Sequence, residues 1–539
     1  MIVGSRNLRG CLVFALVVGC DGSPSIPSPA SAATTEPPSP VVVTLLYTAD
    51  EHGWLLPLVE KGATRGGAAH ALAQWMAEEK HCPGAHPSPI DGVGQDAGPG
   101  AARRAAERSS PACTDPSTLL LSGGDNWTGP ALSSYYDGVP MAEAMARMGY
   151  VATAFGNHDF DFGRESFLKN RAIGGFPFLA ANLRVTDESL KKEMTLPSHI
   201  LVERRGVKIG VVGLATVSTL KTAMASRFKG IEFDAEEPAL GRAIGDAWKA
   251  GADAVVVIAH ECADKLQPML ERHPEWNISF MGAGHCHKRS STVIHGAPLI
   301  GPGWRLHSYA RVRLTIDKTR PSRARVLSVV PEMVEVEHPT GMPFRQPDAD
   351  LDQRANAWKQ RIDGVLGEQI GFAAWGFETK SDEAGHWIGH SWRKELGVDV
   401  AIVNRGGIRQ ALAKGSITKN SVYSVLPFDN RLVVLDLKGS DLVRSLDNPE
   451  AIAVGVTRSA KGGFVDDQGK PVDPERHYSV ATIDFLYFGG DGFNFEAQDP
   501  SPKETGLDWR APVIEWTRKQ ATTPAAPLER ALGVVFKRD

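Results

Sequence analysis

Aspartate, asparagine and histidine residues follow directly after short apolar runs at five places in the sequence. Their side chains offer carboxylate oxygens, an amide oxygen and imidazole nitrogens, which are the donors that bind Zn²⁺, Mn²⁺ or Fe in proteins. Any one of them alone is more simply a helix N-cap or an ordinary surface or core histidine. Together they predict a polynuclear metal site made of Asp50, His52, Asp125, Asn157, His260, His285 and His287.

A site with two metal ions ~3.5–4 Å apart suits in-line displacement at phosphorus, because the ions activate water and neutralise charge on phosphoryl oxygens. The leaving group then needs help from a side chain. His158 stands beside Asn157, and Asp161 follows three residues later, where a carboxylate can orient an imidazole. We therefore expect His158 and Asp161 to form a catalytic pair; the alternative is that His158 is a further metal ligand.

The apolar runs before the candidate ligands have the length and the β-branched composition of buried strands, as in VVVTLLYT before Asp50 and AVVVIA before His260. In a layered α/β sheet the carboxyl ends of the strands share one edge, and ligands bind there. Alternate residues of an extended segment point to the same side. Asp50 and His52 are therefore expected to share a face, whereas Cys286, between His285 and His287, is expected to pack away from the metals.

Strand-like and helix-like segments alternate along the chain, which is typical of α/β domains. We predict a first domain at 41–345, interrupted at 82–117 by a Gly/Ala/Pro-rich insertion that we expect to be a surface loop. An amphipathic linker helix is predicted at 346–366. A second domain is predicted at 367–518, followed by a polar tail at 519–539.

The N-terminus has the pattern of an export signal at 1–20. Arg6 and Arg9 precede the apolar run CLVFALVVG, which is too short to span a bilayer. The run ends in Val-Val-Gly before Cys20, which resembles a bacterial lipobox and implies lipid attachment to Cys20; the alternative is a plain signal peptide. The Pro/Ser-rich segment 21–40 is predicted to be a disordered tether. The predicted location is the cell envelope, as a periplasmic or outer-surface lipoprotein.

Composition limits the partners. The chain has 539 residues and a formal net charge of −4, and its basic residues are scattered, so nothing favours a nucleic-acid polymer as partner. Outside the cytoplasm, Cys82 and Cys113 could form a disulfide across the insertion.

The ordered motifs TADEHG, GGDNWTG, GNHDFDFG, AHE and GHCH resemble those of the calcineurin-like metallophosphatases, and specifically the 5′-nucleotidase family. NRGGIR, VLPFDN and FGGDGF resemble the C-terminal nucleotide-binding domain of that family, in the same order. The resemblance implies an α/β fold, with an N-terminal four-layer α/β/β/α metallophosphatase sandwich and a C-terminal α/β nucleotidase domain.

The resemblance also implies two divalent metal ions, such as Zn²⁺ or Mn²⁺, and a nucleotide substrate. Asn404 and Arg409 would contact the substrate, and Phe428 and Phe493 would clamp its base. One ion would be held by Asp50, His52, Asp125 and His287, and the other by Asp125, Asn157, His260 and His285, with Asp125 bridging.

Two positions depart from the family pattern. Ala259 and Glu261 flank His260, and the segment before Gly389 offers no arginine that matches the family's phosphate clamp. We predict an exported dimetal phosphoesterase that hydrolyses nucleoside monophosphates to nucleoside and phosphate. The alternatives are a 2′,3′-cyclic-nucleotide phosphodiesterase/3′-nucleotidase, a UDP-sugar hydrolase or, in another class, a non-catalytic nucleotide-binding surface lipoprotein.

Overall fold

The predicted signal peptide, the tether and the lipid attachment residue Cys20 lie outside the described part of the computed structural model. So do Cys113 and almost all of the insertion predicted at 82–117. Within the described part, no helix is long and apolar enough to cross a membrane. The described residues are 40–60, 63–83, 117–338, 345–460 and 462–533.

Two six-stranded sheets form the centre of the first domain. Their strands have the apolar, β-branched composition noted above. In chain order they are β1 (Val41–Thr48), β2 (Thr118–Ser122), β3 (Ala152–Ala154), β4 (Phe178–Leu179), β5 (His199–Arg204), β6 (Val207–Ala215), β7 (Ala254–His260), β8 (Phe280–Gly282), β9 (Arg289–Ile294), β10 (Ala297–Pro302), β11 (Ser308–Ile316) and β12 (Val326–Glu335).

One sheet has the order β12-β11-β1-β2-β3-β4 and the other β9-β10-β8-β7-β6-β5. Strands β1 to β4 pair in parallel, as do β6, β7, β8 and β10. The outer strands β11, β12, β5 and β9 pair antiparallel. The carboxyl ends of β1, β2 and β3 therefore lie at one edge of their sheet, and those of β7 and β8 lie together in the other.

The central strands of each sheet are buried on both faces, which explains why they read as nearly continuous apolar runs. Leu45 of β1 and Val256 of β7 lie in the cluster between the two sheets. Leu46 and Val257 point outward into separate clusters with the helices. The four-layer α/β/β/α prediction is confirmed, and the principal outer helices are Ala68–Glu78, Val139–Met148 and Gly163–Gly174 on the first sheet and Glu236–Lys249 and Ala263–Arg272 on the second.

The helix predicted at 346–366 spans Ala349–Leu366. The carboxylate of Asp348 caps it by accepting a hydrogen bond from the Leu351 amide at 2.9 Å. Buried residues of this helix belong to the core of the first domain. The connection between the domains is therefore a packed helix.

The second domain has a five-stranded sheet and a separate two-stranded ribbon. In the sheet the strands lie side by side in the order Ala451–Val454, Val400–Asn404, His477–Ile483, Arg431–Lys438 and Lys503–Asp508, and the ribbon pairs Gln369–Phe377 with Leu412–Thr418. Its core contains Trp387 and Trp392 from the helix Asp382–Leu396. The indole of Trp387 donates to Thr517 on the helix Arg510–Lys519 at 3.0 Å. The strands are β13 (Gln369–Phe377), β14 (Val400–Asn404), β15 (Leu412–Thr418), β16 (Arg431–Lys438), β17 (Ala451–Val454), β18 (His477–Ile483) and β19 (Lys503–Asp508), and shorter helices span Lys419–Val425 and Gly439–Leu446.

The segment from residue 519, predicted as a polar tail, packs on the second domain as far as it is described. Its short helix Leu528–Ala531 buries Leu528 completely in the domain core. The carboxylate of Glu529 accepts hydrogen bonds of 3.0–3.1 Å from the backbone amides of 374–376. The Pro-rich sequence concealed this packing, because it depends on one leucine and one buried carboxylate.

Candidate metal centre and substrate cleft

The side chains that follow the five strand ends come together between the two sheets and the second domain. Asn157 Oδ1 lies 3.0 Å from His260 Nε2, and the neighbouring His52 Nε2 lies 3.8 Å from Asp125 Oδ2. The predicted ligands thus form two adjoining clusters. Donor atoms lie within 4.8 Å of one another in each of the sets Asp50, His52 and His287, and Asp125, His260 and His285.

Most of the predicted ligands have a left-handed backbone conformation, which residues other than glycine rarely adopt. Left-handed φ angles in residues other than glycine concentrate at functional sites, since they cost free energy and persist only where the surroundings enforce them. Here they turn the chain sharply after β1, β2 and β8, so that side chains from separate strands converge. The φ angles are 53° at Asp50, 45° at His52, 59° at Asp125, 64° at His285 and 57° at His287.

The prediction that Asp50 and His52 share a face of an extended segment is therefore wrong. Strand β1 ends at Thr48, and the loop that follows is tightly turned. The two side chains meet through this turn, and period-two alternation does not apply to them.

Glycine allows the close approach around Asp125. Gly124 has a φ of 90°, which favours glycine. A Cβ at Gly156 would collide with the amide nitrogen and with Oδ1 of Asp125. The backbones after β2 and β3 can therefore touch, and this brings Asp125 next to Asn157.

Backbone carbonyls orient the imidazoles. Nδ1 of His52 donates to the carbonyl oxygen of Thr128 at 2.8 Å, and Nδ1 of His260 donates to that of Gly123 at 2.8 Å. Such bonds fix the ring and its tautomer, leaving Nε2 free as a metal donor. Both histidines are thus preset as Nε2 ligands.

The pKa shifts in the two Asp/His clusters indicate that both would be stabilised by bound cations. Burial first, and then nearby carboxylates, raise the pKa of Asp50, and no described residue donates a hydrogen bond to its buried Oδ2. Burial lowers the pKa of His285 to about 4, so this ring is neutral. Burial also opposes a charge on His260, but the carboxylates of Asp125 and Asp50 outweigh it and raise the pKa to about 10. A positive charge is therefore favoured between these groups, as two divalent ions would supply.

His158 and Asp161 form the predicted pair. Nδ1 of His158 lies 2.8 Å from Asp161 Oδ2, and its backbone amide donates to Asp125 Oδ1 at 2.8 Å. Burial tends to lower the pKa of His158, but the charges of Asp161 and Asp125 outweigh it and the pKa is raised. The ring stacks on Phe428 of the second domain at a centroid distance of 5.3 Å.

A cavity of about 260 Å³ lies between the domains at this point. The sequence predictions missed several of its lining residues, although most follow strand ends or glycine turns as the ligands do. The first domain contributes candidate ligands and the pair of His158 and Asp161, and the second contributes Lys380, Asn404, Arg409, Phe428, Asn430, Phe485 and Asp491.

Arg409 reaches across the cavity to the metal centre. Its Nη2 lies 3.4 Å from Nε2 of His52, and the side chain is partly buried. Within the described residues it has no carboxylate partner at ion-pair distance. Asn404 donates from Nδ2 to Asp491 at 2.7 Å, while its buried Oδ1 has no hydrogen-bond partner there. The guanidinium of Arg409 and Oδ1 of Asn404 can therefore pair with a ligand.

Residues 363–498 match the family model of the 5′-nucleotidase C-terminal domain. Full-length relatives extend the likeness to the metal domain. Protein UshA of Yersinia enterocolitica is 25% identical over 500 residues, which cover 80% of this chain and 88% of that protein. Together these matches relate both domains of the chain to the 5′-nucleotidase family. Members of this family are phosphoesterases, and the two Asp/His clusters agree with that chemistry.

Other relatives of this 5′-nucleotidase homologue differ in length. Endonuclease YhcR of Bacillus subtilis is 27% identical over 406 residues, and the match spans 68% of this chain but only a third (33%) of that protein. The crystal structure of a 5′-nucleotidase precursor from Thermus thermophilus has the same fold, with a TM-score of 0.70 at 20% identity, covering 89% of this chain and 97% of that one.

The structure does not bring together the aromatic pair expected from the 5′-nucleotidase pattern. Phe428 borders the cavity, but Phe493 is 6% exposed and stacks on Phe495 at 5.0 Å within the domain core. The glycine turn before Phe493 directs its neighbour Asp491 into the cavity instead. Phe485, two residues after β18, is the second aromatic residue that borders the cavity.

Cys262 and Cys286 are joined by a disulfide with a Cα–Cα distance of 5.3 Å. Their sulfur atoms also lie near a carboxylate oxygen of Asp264, but they bind each other. The sequence prediction that Cys286 packs rather than binding metal overlooked this bond. The signal was the position of each cysteine just after one of two neighbouring parallel strands, β7 and β8.

Proposed function

We propose that the protein is an exported dimetal phosphoesterase that hydrolyses 5′-nucleotides to nucleoside and phosphate. The observation that carries the proposal is the position of Arg409, a partly buried guanidinium without a carboxylate partner in the described structure, 3.4 Å from His52 of the candidate metal cluster. A guanidinium fork matches a phosphate geometrically. A phosphate monoester at this point would meet both the arginine and the metal centre.

The proposed ligand assignment divides the residues between two ions. Bound divalent ions would activate a water molecule and neutralise charge on the phosphoryl oxygens. Asp125 lies between the clusters, since its Oδ2 is 3.2 Å from His260 Nε2 and 3.8 Å from His52 Nε2. One ion would be held by Asp50, His52, Asp125 and His287, and the other by Asp125, Asn157, His260 and His285.

His158 would donate a proton to the leaving oxygen. Its raised pKa favours the protonated ring, and Asp161 holds Nδ1 so that Nε2 is the reacting nitrogen. Because the ring stacks on Phe428, it lies where the two domains meet. The leaving oxygen of a nucleotide bound to the second domain would arrive at the same place.

The nucleoside would be held by the second domain. Phe428 and Phe485 offer aromatic faces on which a base can stack, and Asn404 offers an unpaired acceptor for an N–H or O–H group. Phe493 would support this region from the core. Lys380 adds a second cation to the cavity, in the segment where the family pattern calls for an arginine.

The proposed location is the cell envelope, with a lipid on Cys20 and the Pro/Ser-rich tether between the membrane and the catalytic domains. Mass spectrometry of the protein purified from membranes tests the anchor. A mature chain that begins at a diacylated Cys20 supports it, and a soluble chain cleaved elsewhere contradicts it.

The activity is tested with the purified chain loaded with Mn²⁺ or Zn²⁺ and supplied with AMP, 3′-AMP, 2′,3′-cyclic AMP or UDP-glucose. We expect AMP to be hydrolysed with the highest kcat/KM. Preference for 3′-AMP and the cyclic nucleotide, or for UDP-glucose, would replace the 5′-nucleotidase proposal by the matching alternative. Two bound metals with no hydrolysis of any substrate would favour a nucleotide-binding lipoprotein.

A further inference from the structure

The disulfide joins the two loops that carry three of the metal-type histidines. Cys262 is two residues after His260 at the end of β7, and Cys286 lies between His285 and His287 after β8. The bond therefore fixes the distance between loops whose side chains must meet within a few ångströms. The disulfide can therefore set the positions of the candidate metal ligands relative to one another.

The two sulfurs differ in access. Cys262 is 6% exposed, whereas Cys286 is half-buried. Cys286 borders both the substrate cavity and a second cavity of about 240 Å³, whose wall includes Asp264 and Lys288. A thiol can thus approach Cys286 from the side away from the substrate.

Other contacts hold the same loops unequally. The amide of Gly284 donates to the carbonyl of Glu261 at 3.1 Å. The ring of His287 stacks on Trp304 at 4.5 Å with an interplanar angle of 13°. The ring of His285 packs edge-on against the ring of His260 at 5.1 Å and has one long contact of 3.4 Å to a serine hydroxyl. The ring contact of His287 is thus to a residue outside the two loops, whereas that of His285 is to the other joined loop.

The backbone of both histidines is in a costly conformation. His285 and His287 have φ angles of 64° and 57°. Such conformations persist only when the surrounding structure enforces them. The disulfide at Cys286 is the covalent restraint between these two residues.

We propose that the Cys262–Cys286 disulfide is a redox-sensitive clasp that positions metal ligands, and that its reduction weakens the Asp125–His260–His285 cluster before the Asp50–His52–His287 cluster. The proposal rests on the proposed dimetal function. The first of these clusters takes one ligand from each joined loop, whereas the second takes only His287 from them. The clasp residues are positioning residues.

The chemical step is thiol–disulfide exchange. A thiolate attacks Sγ of Cys286, the bond to Cys262 breaks, and the Cys262 sulfur leaves as a thiolate. A second thiol then attacks the mixed disulfide, which frees Cys286 and produces an oxidised dithiol. The co-reactant is a small or protein dithiol of the cell envelope, and the reverse exchange with the disulfide form of that dithiol restores the clasp.

The experiment measures Mn²⁺ bound per chain at increasing free Mn²⁺, in full-length protein before and after reduction by a phosphine. Mn²⁺ is suitable because it prefers oxygen and nitrogen donors, so released thiolates do not create a new site for it. We expect the oxidised chain to bind two ions. After reduction one ion should need about 10- to 100-fold more free Mn²⁺, as is typical when a supporting residue of a metal site is lost.

Two variants control the assignment. Cys262→Ser with Cys286→Ser should bind Mn²⁺ as the reduced wild type does and should not respond to phosphine. Cys82→Ser with Cys113→Ser should respond as the wild type does. A phosphine effect that persists in the first variant, or equal weakening of both ions, would overturn the proposal.

Hydrogen exchange in the metal-free chain gives a readout that needs no metal. Amides at 284–288 should exchange faster after reduction, while those of β1 should not change, and circular dichroism should remain native. Unchanged exchange at 284–288 would overturn the clasp. An oxidised chain that binds two ions but hydrolyses nothing would contradict the proposed function and leave the clasp standing.

Discussion

Replacing Arg409 by alanine should weaken phosphate recognition without removing the metals. The guanidinium is partly buried, and no carboxylate of the described chain pairs with it at ion-pair distance. Its charge adds to the effect of burial in lowering the pKa of His52 and of His287. A substrate phosphate would therefore pair with an unpaired cation, whereas a metal ion at His52 would be repelled by it.

The expected size follows from the strength of charged hydrogen bonds. A hydrogen bond to a charged group contributes ~1.5–3 kcal/mol. Since about 1.4 kcal/mol corresponds to a factor of ten, kcat/KM of Arg409→Ala should fall about 10- to 100-fold. Arg409→Lys keeps the charge but lacks the planar fork, so its kcat/KM should lie between those of the wild type and the alanine variant.

The assay compares AMP with a small aryl phosphate in wild type, Arg409→Ala and Arg409→Lys, with metal content measured in each. Both substrates should lose the same factor in Arg409→Ala, because the arginine would act on the phosphate and not on the base. Inhibition by inorganic phosphate should weaken in parallel. Loss of a metal ion, or an unchanged kcat/KM for both substrates, would refute the reasoning.

Three further predictions concern the catalytic pair, the aromatic residues and the contact between the domains. His158→Ala should lower kcat about 10²- to 10⁴-fold, as is typical for loss of an acid–base group, while elemental analysis finds the metal content unchanged; loss of one ion would make His158 a ligand. Phe485→Ala should raise KM for AMP by the equivalent of ~1–3 kcal/mol of stacking but leave KM for an aryl phosphate nearly unchanged. Phe493→Ala should instead lower the free energy of unfolding by ~3–5 kcal/mol. Similar effects of the two substitutions on KM would contradict the assignment. Arg227 and Asp429 form an ion pair of 2.7 Å across the domains beside the cavity. A double-mutant cycle on KM for AMP should give a coupling free energy of ~0.2–1 kcal/mol, because both side chains are partly exposed. A coupling free energy near zero would exclude a role of this ion pair in closing the cavity.

The sequence predicted which Asp, Asn and His side chains lie together, because strand ends in parallel sheets obey a simple geometric rule. The apolar runs of β1, β2, β3, β7 and β8 are strongly patterned, and each leads into polar residues at the same edge. The pattern does not contain the backbone angle at which a loop leaves its strand. For that reason Asp50 and His52 were expected on an extended segment and lie on a left-handed turn.

Features that depend on tertiary packing were harder to predict from the sequence. A motif match assigns Phe493 to the substrate, but whether its ring faces the cavity or the core depends on the turn before it and on its stacking with Phe495. Likewise, neither Cys262 nor Cys286 carries a local signal of pairing. The bond becomes visible only once β7 and β8 are known to be neighbours.

The left-handed backbone at the metal ligands makes the stability of this fold conditional. At ~1 kcal/mol or more for each of the five residues, Asp50, His52, Asp125, His285 and His287 together cost an amount comparable to the net stability of a typical domain, ~5–15 kcal/mol. Under the proposed ligand assignment, bound metals would return that free energy only while the ligand side chains remain. A lineage that abandoned the chemistry would gain stability by exchanging these residues for glycine or asparagine. Aspartate and histidine at such angles would then distinguish members of the fold that keep a metal centre from those that have lost it.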